Sequence, residues 1–474
     1  MKGLITRTGL VAAIALAAML PPALSACGTS ATSHARAARP VVIDTDMSSD
    51  DIMALAYLLQ KPGISVRAIT VEGTGVADGL SGAQNASRLV RALGIPRRIP
   101  IAYGPAKPLA GAAAFPPAWR KTADRMYGLH IPAWSGPEPA PDAVSLLTRT
   151  LRSVRSRQVS VITLGPLTNV ALALRAQPAI AAKIARIYAM AGAIHVPGNE
   201  PVHQRAEWNV YIDPKAANIV LRSAAPVTVV PLDASNNVPI TTFIASAVQA
   251  NRSTAAMRLL AEMLNDPFYT QAPVYFWDPL TAVAATDKHV LRESPARLTV
   301  AQGPGAGSGE TTIGQAGARV MLATSANAGA FARDFLTTLN GGRPVLVPEV
   351  PATQRLTVGF DGARYTSRVP SSLAAGEMAV RLSNGAPARS GGFHLIVGRL
   401  RAGKTLADVS DVIKRGRVTS VPSWFQTMSV LPAPPRADAV WGIALVPGDY
   451  VLVCSRDADG ALRALTEVRI LRRS

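Results

Sequence analysis

The chain has 474 residues, 48% of them apolar and 17% charged, which excludes a disordered protein and exceeds what one hydrophobic core usually organises, so two folded regions are expected. Its net charge of +19 would suit nucleic acid or an anionic membrane surface. Yet 40 of the 49 basic residues are Arg, no run of five basic residues occurs, and no basic stretch is interleaved with aromatics. The charge is therefore read as an Ala- and Arg-rich composition spread over the surface, and no nucleic-acid partner is expected.

Lys2 and Arg7 precede an apolar run from Gly9 to Leu20, the layout of a secretory signal. The run is shorter than the roughly 20 apolar residues that a spanning helix needs. Leu24-Ser25-Ala26-Cys27 follows and resembles the lipobox of bacterial lipoproteins, which implies cleavage before Cys27 and diacylation of its thiol. The expected location is the outer face of the bacterial cell membrane, held by that lipid. Only two cysteines exist, Cys27 and Cys454; with Cys27 acylated no intrachain disulfide is possible, and thiolates cannot assemble a zinc site.

After a tether over 27–40, short β-branched runs alternate with helical stretches. Strands are predicted at Val41–Ile43, Ile64–Val71, Val159–Leu164, Ile184–Met190 and Pro226–Leu232. Helices are predicted at Asp51–Gln60, Ser81–Leu93, Val144–Val154, Leu167–Ala176 and Pro214–Arg222. This alternation argues an α/β fold with a mostly parallel open sheet and helices on both faces. In such sheets ligands bind beyond the carboxyl ends of the strands. Pro and Gly gather after Asn340, giving a linker over 342–355 between an α/β domain over 41–341 and a C-terminal region over 356–474. Runs such as Met378–Leu382 and Tyr450–Val453 give that last region an all-β texture.

The first strand leads into Asp44-Thr45-Asp46-Met47-Ser48-Ser49-Asp50-Asp51. Asp50 and Asp51 could serve only to cap the following helix. Asp44 and Asp46 lie before the helix, and four like charges beside an apolar strand are costly unless a cation neutralises them. Oxygen-only donors suit a hard ion, calcium or magnesium.

The DxDxxxDD run after a hydrophobic strand resembles the signature of the inosine/uridine-type nucleoside hydrolases, and four later segments follow that family's order. They are Gly165-Pro166-Leu167-Thr168-Asn169, Met190-Ala191-Gly192 with Gly198-Asn199, Glu207-Trp208-Asn209 before Asp213-Pro214, and Trp277-Asp278-Pro279-Leu280. The resemblance implies Ca2+ on Asp46, Asp51, the Leu164 carbonyl and Asp278, with Asp46 also the catalytic base. It implies ribose hydroxyls on Asp50, Asn199, Glu207 and Asn209, Met190 lining the sugar, and Asp44 buttressing the cluster. The expected reaction is calcium-dependent hydrolysis of the N-glycosidic bond of ribonucleosides. Two positions depart from the family: Thr74 replaces an Asn at the substrate, and Trp277 replaces a His that in some members protonates the leaving base. Trp277 can offer a stacking face but no acid. His203 is a candidate donor, with His195 and His130 as further histidines.

Two rival readings stand beside this one. A DxD-type phosphatase would attack phosphorus with Asp44, and a nucleoside- or sugar-binding lipoprotein would carry a decayed site. Phe393-His394-Leu395 and Pro447–Cys454 resemble landmarks of cupredoxin-like β-sandwiches, but His394 is the region's only histidine and no Met follows Cys454. Type-1 copper is therefore not expected. The C-terminal sandwich is expected to be a spacer or docking module that leaves the hydrolase region independent, and a homo-oligomer is left open.

Overall fold

The computed structural model describes residues 38–474 apart from 201–202, 267, 272–273, 348–353, 371, 387–391, 416–421, 434–437, 457–461 and 473–474. The expected signal peptide, Cys27, most of the tether and the middle of the linker lie outside the described residues. No described helix is long and apolar enough to cross a membrane.

A nine-stranded sheet is built from β1 (Arg39–Thr45), β2 (Ile64–Val71), β3 (Ile101–Tyr103), β4 (Val159–Thr163), β5 (Ile184–Met190), β6 (Val227–Val230), β7 (Leu291–Val300), β8 (Thr311–Ile313) and β9 (Ala318–Ala326). Their order is β3-β2-β1-β4-β5-β6-β9-β7-β8. The first seven in this order run parallel, and β7 and β8 add an antiparallel edge. Val41, Val42 and Ile43 are buried because both faces of β1 are covered, as the uninterrupted β-branched run requires. One face buries Ile43, Leu55, Leu89, Leu260, Leu280 and Phe335, the other Val42, Leu147, Val170, Ile187 and Val220.

The predicted strands and helices are present with shifted ends. The second helix starts earlier, at Gly79, because Asp78 accepts the Leu80 amide as its cap. Beyond Leu232, where the pattern assigns no elements, the helices Thr242–Ala250, Ala255–Met263, Trp277–Ala284 and Ala328–Leu339 complete one face. The helix Ser49–Gln60 packs against Trp277–Ala284, bringing Asp278 up to the motif that follows β1.

The strands from Arg355 onward form two further sheets. β10 (Arg355–Phe360), β11 (Tyr365–Arg368), β12 (Ser372–Ala374), β13 (Gly376–Asn384), β14 (Phe393–Leu400), β15 (Phe425–Ala433), β16 (Asp438–Leu445), β17 (Gly448–Arg456) and β18 (Leu462–Leu471) pair as β11-β10-β13-β16 and β12-β18-β17-β14-β15. Between them lies a core of Leu356, Val380, Phe393, Leu395, Trp441, Tyr450 and Cys454. Cys454 sits opposite Leu395 in the ladder, and burial pushes its thiol up to about 12. His394 is the neighbour of Leu395 along β14, so its side chain takes the opposite face of the sheet.

Candidate functional site

β1 ends at Thr45, and the chain turns through Asp46, Met47 and Ser48 into the helix Ser49–Gln60. Met47 is buried with φ +57°, a left-handed bend that a non-glycine residue adopts at a cost of order 1–3 kcal/mol. Hydrogen bonds hold that bend. The Met47 amide donates to Thr45 Oγ1 at 3.1 Å, the Ser48 amide to Asp46 Oδ1 at 3.2 Å and Asp51 Oδ2 at 3.1 Å, and the Thr45 hydroxyl to Asp51 Oδ1. Ser48 and Asp51 form a reciprocal capping box, so Asp51 does cap the helix.

Capping does not account for the rest of the cluster. Asp50, Asp51 and Asp278 each bring a carboxylate oxygen within 4.8 Å of the others. Asp278 Oδ1 is buried and accepts no hydrogen bond among the described residues. Among the described residues no Lys, Arg or His lines the cavity above them. Burial first, then neighbouring carboxylates, pushes Asp50 up to about 6 and holds Asp46 and Asp278 well above the usual carboxylate range. Such a site fits a hard cation, whose charge would let all these groups ionise together.

The expected ligand set meets this arrangement in part. Asp51 and Asp278 are in the triplet, and Asp50, assigned to the sugar by the resemblance, completes it. Asp46 lies against Asp51 and lines the same cavity. Backbone presses on it from two sides: a Cβ at Gly75 would overlap the Asp46 side chain, and one at Gly165 would lie 2.6 Å from its Cβ. These glycines are close-approach positions. The Leu164 carbonyl accepts Asn209 Nδ2 at 2.8 Å.

Asp44 is fully buried and does not line the cavity. It accepts the Thr70 hydroxyl at 2.5 Å and Asn169 Nδ2 at 3.0 Å. Glu72, unforeseen from the sequence, lies beside it; burial first, then the nearby Asp44 charge, holds the Glu72 carboxyl well above the usual carboxylate range. A phosphatase nucleophile at Asp44 would have no access to substrate. Thr74 also faces inward, donating to Glu72 Oε2 at 3.2 Å and lying 3.2 Å from Thr168 Oγ1, so it buttresses the floor and does not line the cavity.

Met190, Asn199, Glu207 and Asn209 do line it. Glu207 caps the helix Trp208–Ile212, accepting the Asn209 amide at 2.8 Å, and also takes the Gly192 amide at 3.1 Å. Burial pushes its carboxyl up to about 7. Asn199 Oδ1 accepts the Trp208 amide at 2.9 Å.

The cavity, about 950 Å³, is walled by Phe115, Trp119, Tyr127, Trp208, Phe268, Tyr269 and Trp277. These are seven of the 24 aromatic residues in a chain poor in them. Phe115 stacks on Trp208 at 4.9 Å, with Trp119 5.4 Å from Trp208, while Trp119 and Phe268 remain exposed at the rim. Tyr127 is presented by a turn in which Met126, Tyr127 and Gly128 all have positive φ. The Trp277 indole N–H donates to Asn236 Oδ1 at 2.9 Å. None of His130, His195 and His203 lines the cavity: all three are exposed, with His130 bonded to Glu262 and the backbone amides of His195 and His203 bonded to Asp233 and Glu200. Sequence reasoning missed most of this wall because its rings come from separate loops and helices with no shared spacing.

Residues 41–333 match the model of the inosine-uridine preferring nucleoside hydrolase family. The chain is 38% identical over 209 residues to the pyrimidine-specific ribonucleoside hydrolase RihA of Salmonella agona, covering 43% of this chain and 63% of that protein. It thus spans a little under two thirds of the length of this curated relative. Among solved structures, the inosine-uridine preferring nucleoside hydrolase of Bacillus anthracis aligns with TM-score 0.55 and 23% identity over 64% of this chain and 99% of its own. The purine-preferring ribonucleoside hydrolase of Gardnerella vaginalis aligns with TM-score 0.55 and 22% identity over 64% and 98%. The match over residues 41–333 covers more than half of the chain, and the chain belongs to the inosine-uridine preferring nucleoside hydrolase family.

Proposed function

We propose that the chain hydrolyses the N-glycosidic bond of ribonucleosides, releasing base and ribose, with calcium held by the carboxylate floor. The observation that carries this reading is the oxygen-only triplet of half-buried Asp50 and buried Asp51 and Asp278, in a cavity of about 950 Å³ walled by aromatic rings. Asp46 and Leu164 line the same cavity, and the Asp46 carboxylate and the Leu164 carbonyl are the further donors. When bound, the ion neutralises the cluster, polarises and orients a water, and gives sugar hydroxyls a point of attachment.

The side chains carry the rest. Asp46, fixed by the Ser48 and Val76 amides, takes the proton of the attacking water as its oxygen bonds to C1′ and the C1′–N bond breaks. The buried carboxylates favour the positive charge that grows on the sugar ring. Asn199, Glu207 and Asn209 hold the hydroxyls, and Trp277 offers a face to the base. The departing base takes its proton from solvent, because the Trp277 N–H is committed to Asn236 and no described histidine lines the cavity. Tyr127 and Tyr269 can donate hydrogen bonds to the base, but burial keeps both hydroxyls poor acids. The pyrimidine-specific relative and the purine-preferring one are both ribonucleoside hydrolases and differ in the base.

The test is a panel of purine and pyrimidine ribonucleosides with calcium, scored for free base and free ribose. Release of both from at least one riboside is expected. Binding without release would favour the solute-binding reading.

We also propose that the protein is exported and anchored by a diacylated Cys27, on the strength of Lys2, Arg7, the apolar run and Leu24-Ser25-Ala26-Cys27. Cys27→Ala should move the protein out of the detergent phase; unchanged partitioning would remove the anchor.

A further inference from the structure

The extended segment Val274–Phe276, which leads into the helix that starts at Trp277, is held from two sides. On one side the Ile240 amide donates to the Val274 carbonyl and the Phe276 amide to the Val238 carbonyl, both at 2.9 Å, with Pro239 bridged to Tyr275. On the other side lies the C-terminal sandwich. Tyr275 is buried as a member of the sandwich core. Its ring meets Trp441 of β16 edge-on at 5.5 Å and Trp277 at 5.5 Å, tilted by 46°.

Trp277 in turn packs against three apolar groups: the core around Ile43 and Leu280, the sandwich core, and the small cluster of Met190, Ala193 and Leu232 beside the sugar pocket. The contact between the two regions is close. A Cβ on Gly442, next to Trp441, would lie 2.5 Å from the Phe243 ring, and the Ser246 hydroxyl donates to Glu377. A spacer or independent docking module, the expectation from sequence, would have no reason to bury a tyrosine two residues from a cavity-lining tryptophan.

We propose that Trp441 is a positioning residue of the hydrolase site. Through Tyr275 it sets the Trp277 ring, so the sandwich builds part of the wall against which the base is bound. The substrate named here rests on the hydrolase reading; the mechanical coupling between Trp441 and the 274–277 segment does not.

The test uses the full-length chain with Trp441→Ala, Trp441→Phe and, as a control, Trp424→Ala. Trp424 packs with Leu400 and Val409 in a separate apolar cluster of the sandwich. Two quantities are read: riboside KM and kcat, and hydrogen exchange of the Phe276 amide. Trp441→Ala should raise KM roughly 10-fold while changing kcat far less, because a smaller folded fraction would lower kcat and leave KM alone. It should speed Phe276 exchange about 10-fold and leave the amides of Thr45–Asp51 unchanged. Trp441→Phe should restore most of both, and Trp424→Ala should move neither. Either quantity at its wild-type value in Trp441→Ala overturns the proposal. If the wild-type chain cleaves no riboside, the hydrolase reading fails instead, and the exchange rates alone decide the coupling.

Discussion

The floor of the cavity comes from consecutive residues after one strand, joined by a single aspartate at a helix start. Its wall comes from rings contributed by at least five separate segments, and one of those rings leans on the C-terminal sandwich. The floor is held rigidly, by a capping box, a left-handed bend and two close glycines, because like charges must be kept together against their repulsion. The wall is held mainly by ring packing, with the Trp277 indole N–H also bonded to Asn236. Within one cavity, charge chemistry demands fixed identities and spacing, while apolar recognition demands only area and shape.

The two halves should fail differently. Asp46→Asn removes the proposed proton acceptor and leaves an isostere that still accepts a backbone amide, so kcat should fall about 10³-fold with the fold intact. A circular-dichroism spectrum and steady-state kinetics check this; retained turnover would place the base elsewhere. Trp277→Ala should cost about 10-fold in kcat/KM by removing the proposed stacking face, yet keep the rise in Tm expected on adding calcium. Loss of that rise would show that wall and floor are not separable.

The smallest effect concerns pH. Burial raises Asp50 to about 6 and holds Asp46 and Asp278 well above their ordinary 3.8, so above that value the ion-free fold binds more protons than the unfolded chain. Their support for the ion-free fold is complete below their ordinary value of 3.8 and is lost as pH rises through about 6 and beyond. Calcium competes with those protons and relieves the repulsion that replaces them. The gain in Tm on adding calcium should therefore be small at pH 5 and grow to several degrees by pH 8, about 3 kcal/mol at a hundredfold excess over Kd. A gain that shrinks with pH would contradict the assignment of these carboxyls to the ion.

This division explains what the sequence discloses. The strand–helix alternation and the DxDxxxDD run were legible because periodicity and local charge density are written in consecutive residues. Asp278 was legible only through the resemblance, since 227 residues separate it from Asp51. Glu72 and the inward turn of Thr74 were not legible: a carboxyl buried beside Asp44 across two strands leaves no local pattern. The antiparallel edge of β7 and β8 and the wall from Phe115 to Tyr269 were missed for the same reason. The contact of Trp441 with Tyr275 lies across a region boundary that composition marks as a linker.

The most direct test of the central claim is the rate of base release from a ribonucleoside by chelator-treated protein, before and after one equivalent of calcium. The carboxylate floor predicts loss of turnover by at least about 100-fold in the stripped protein and full recovery on adding the ion. Undiminished turnover in metal-free protein would contradict it.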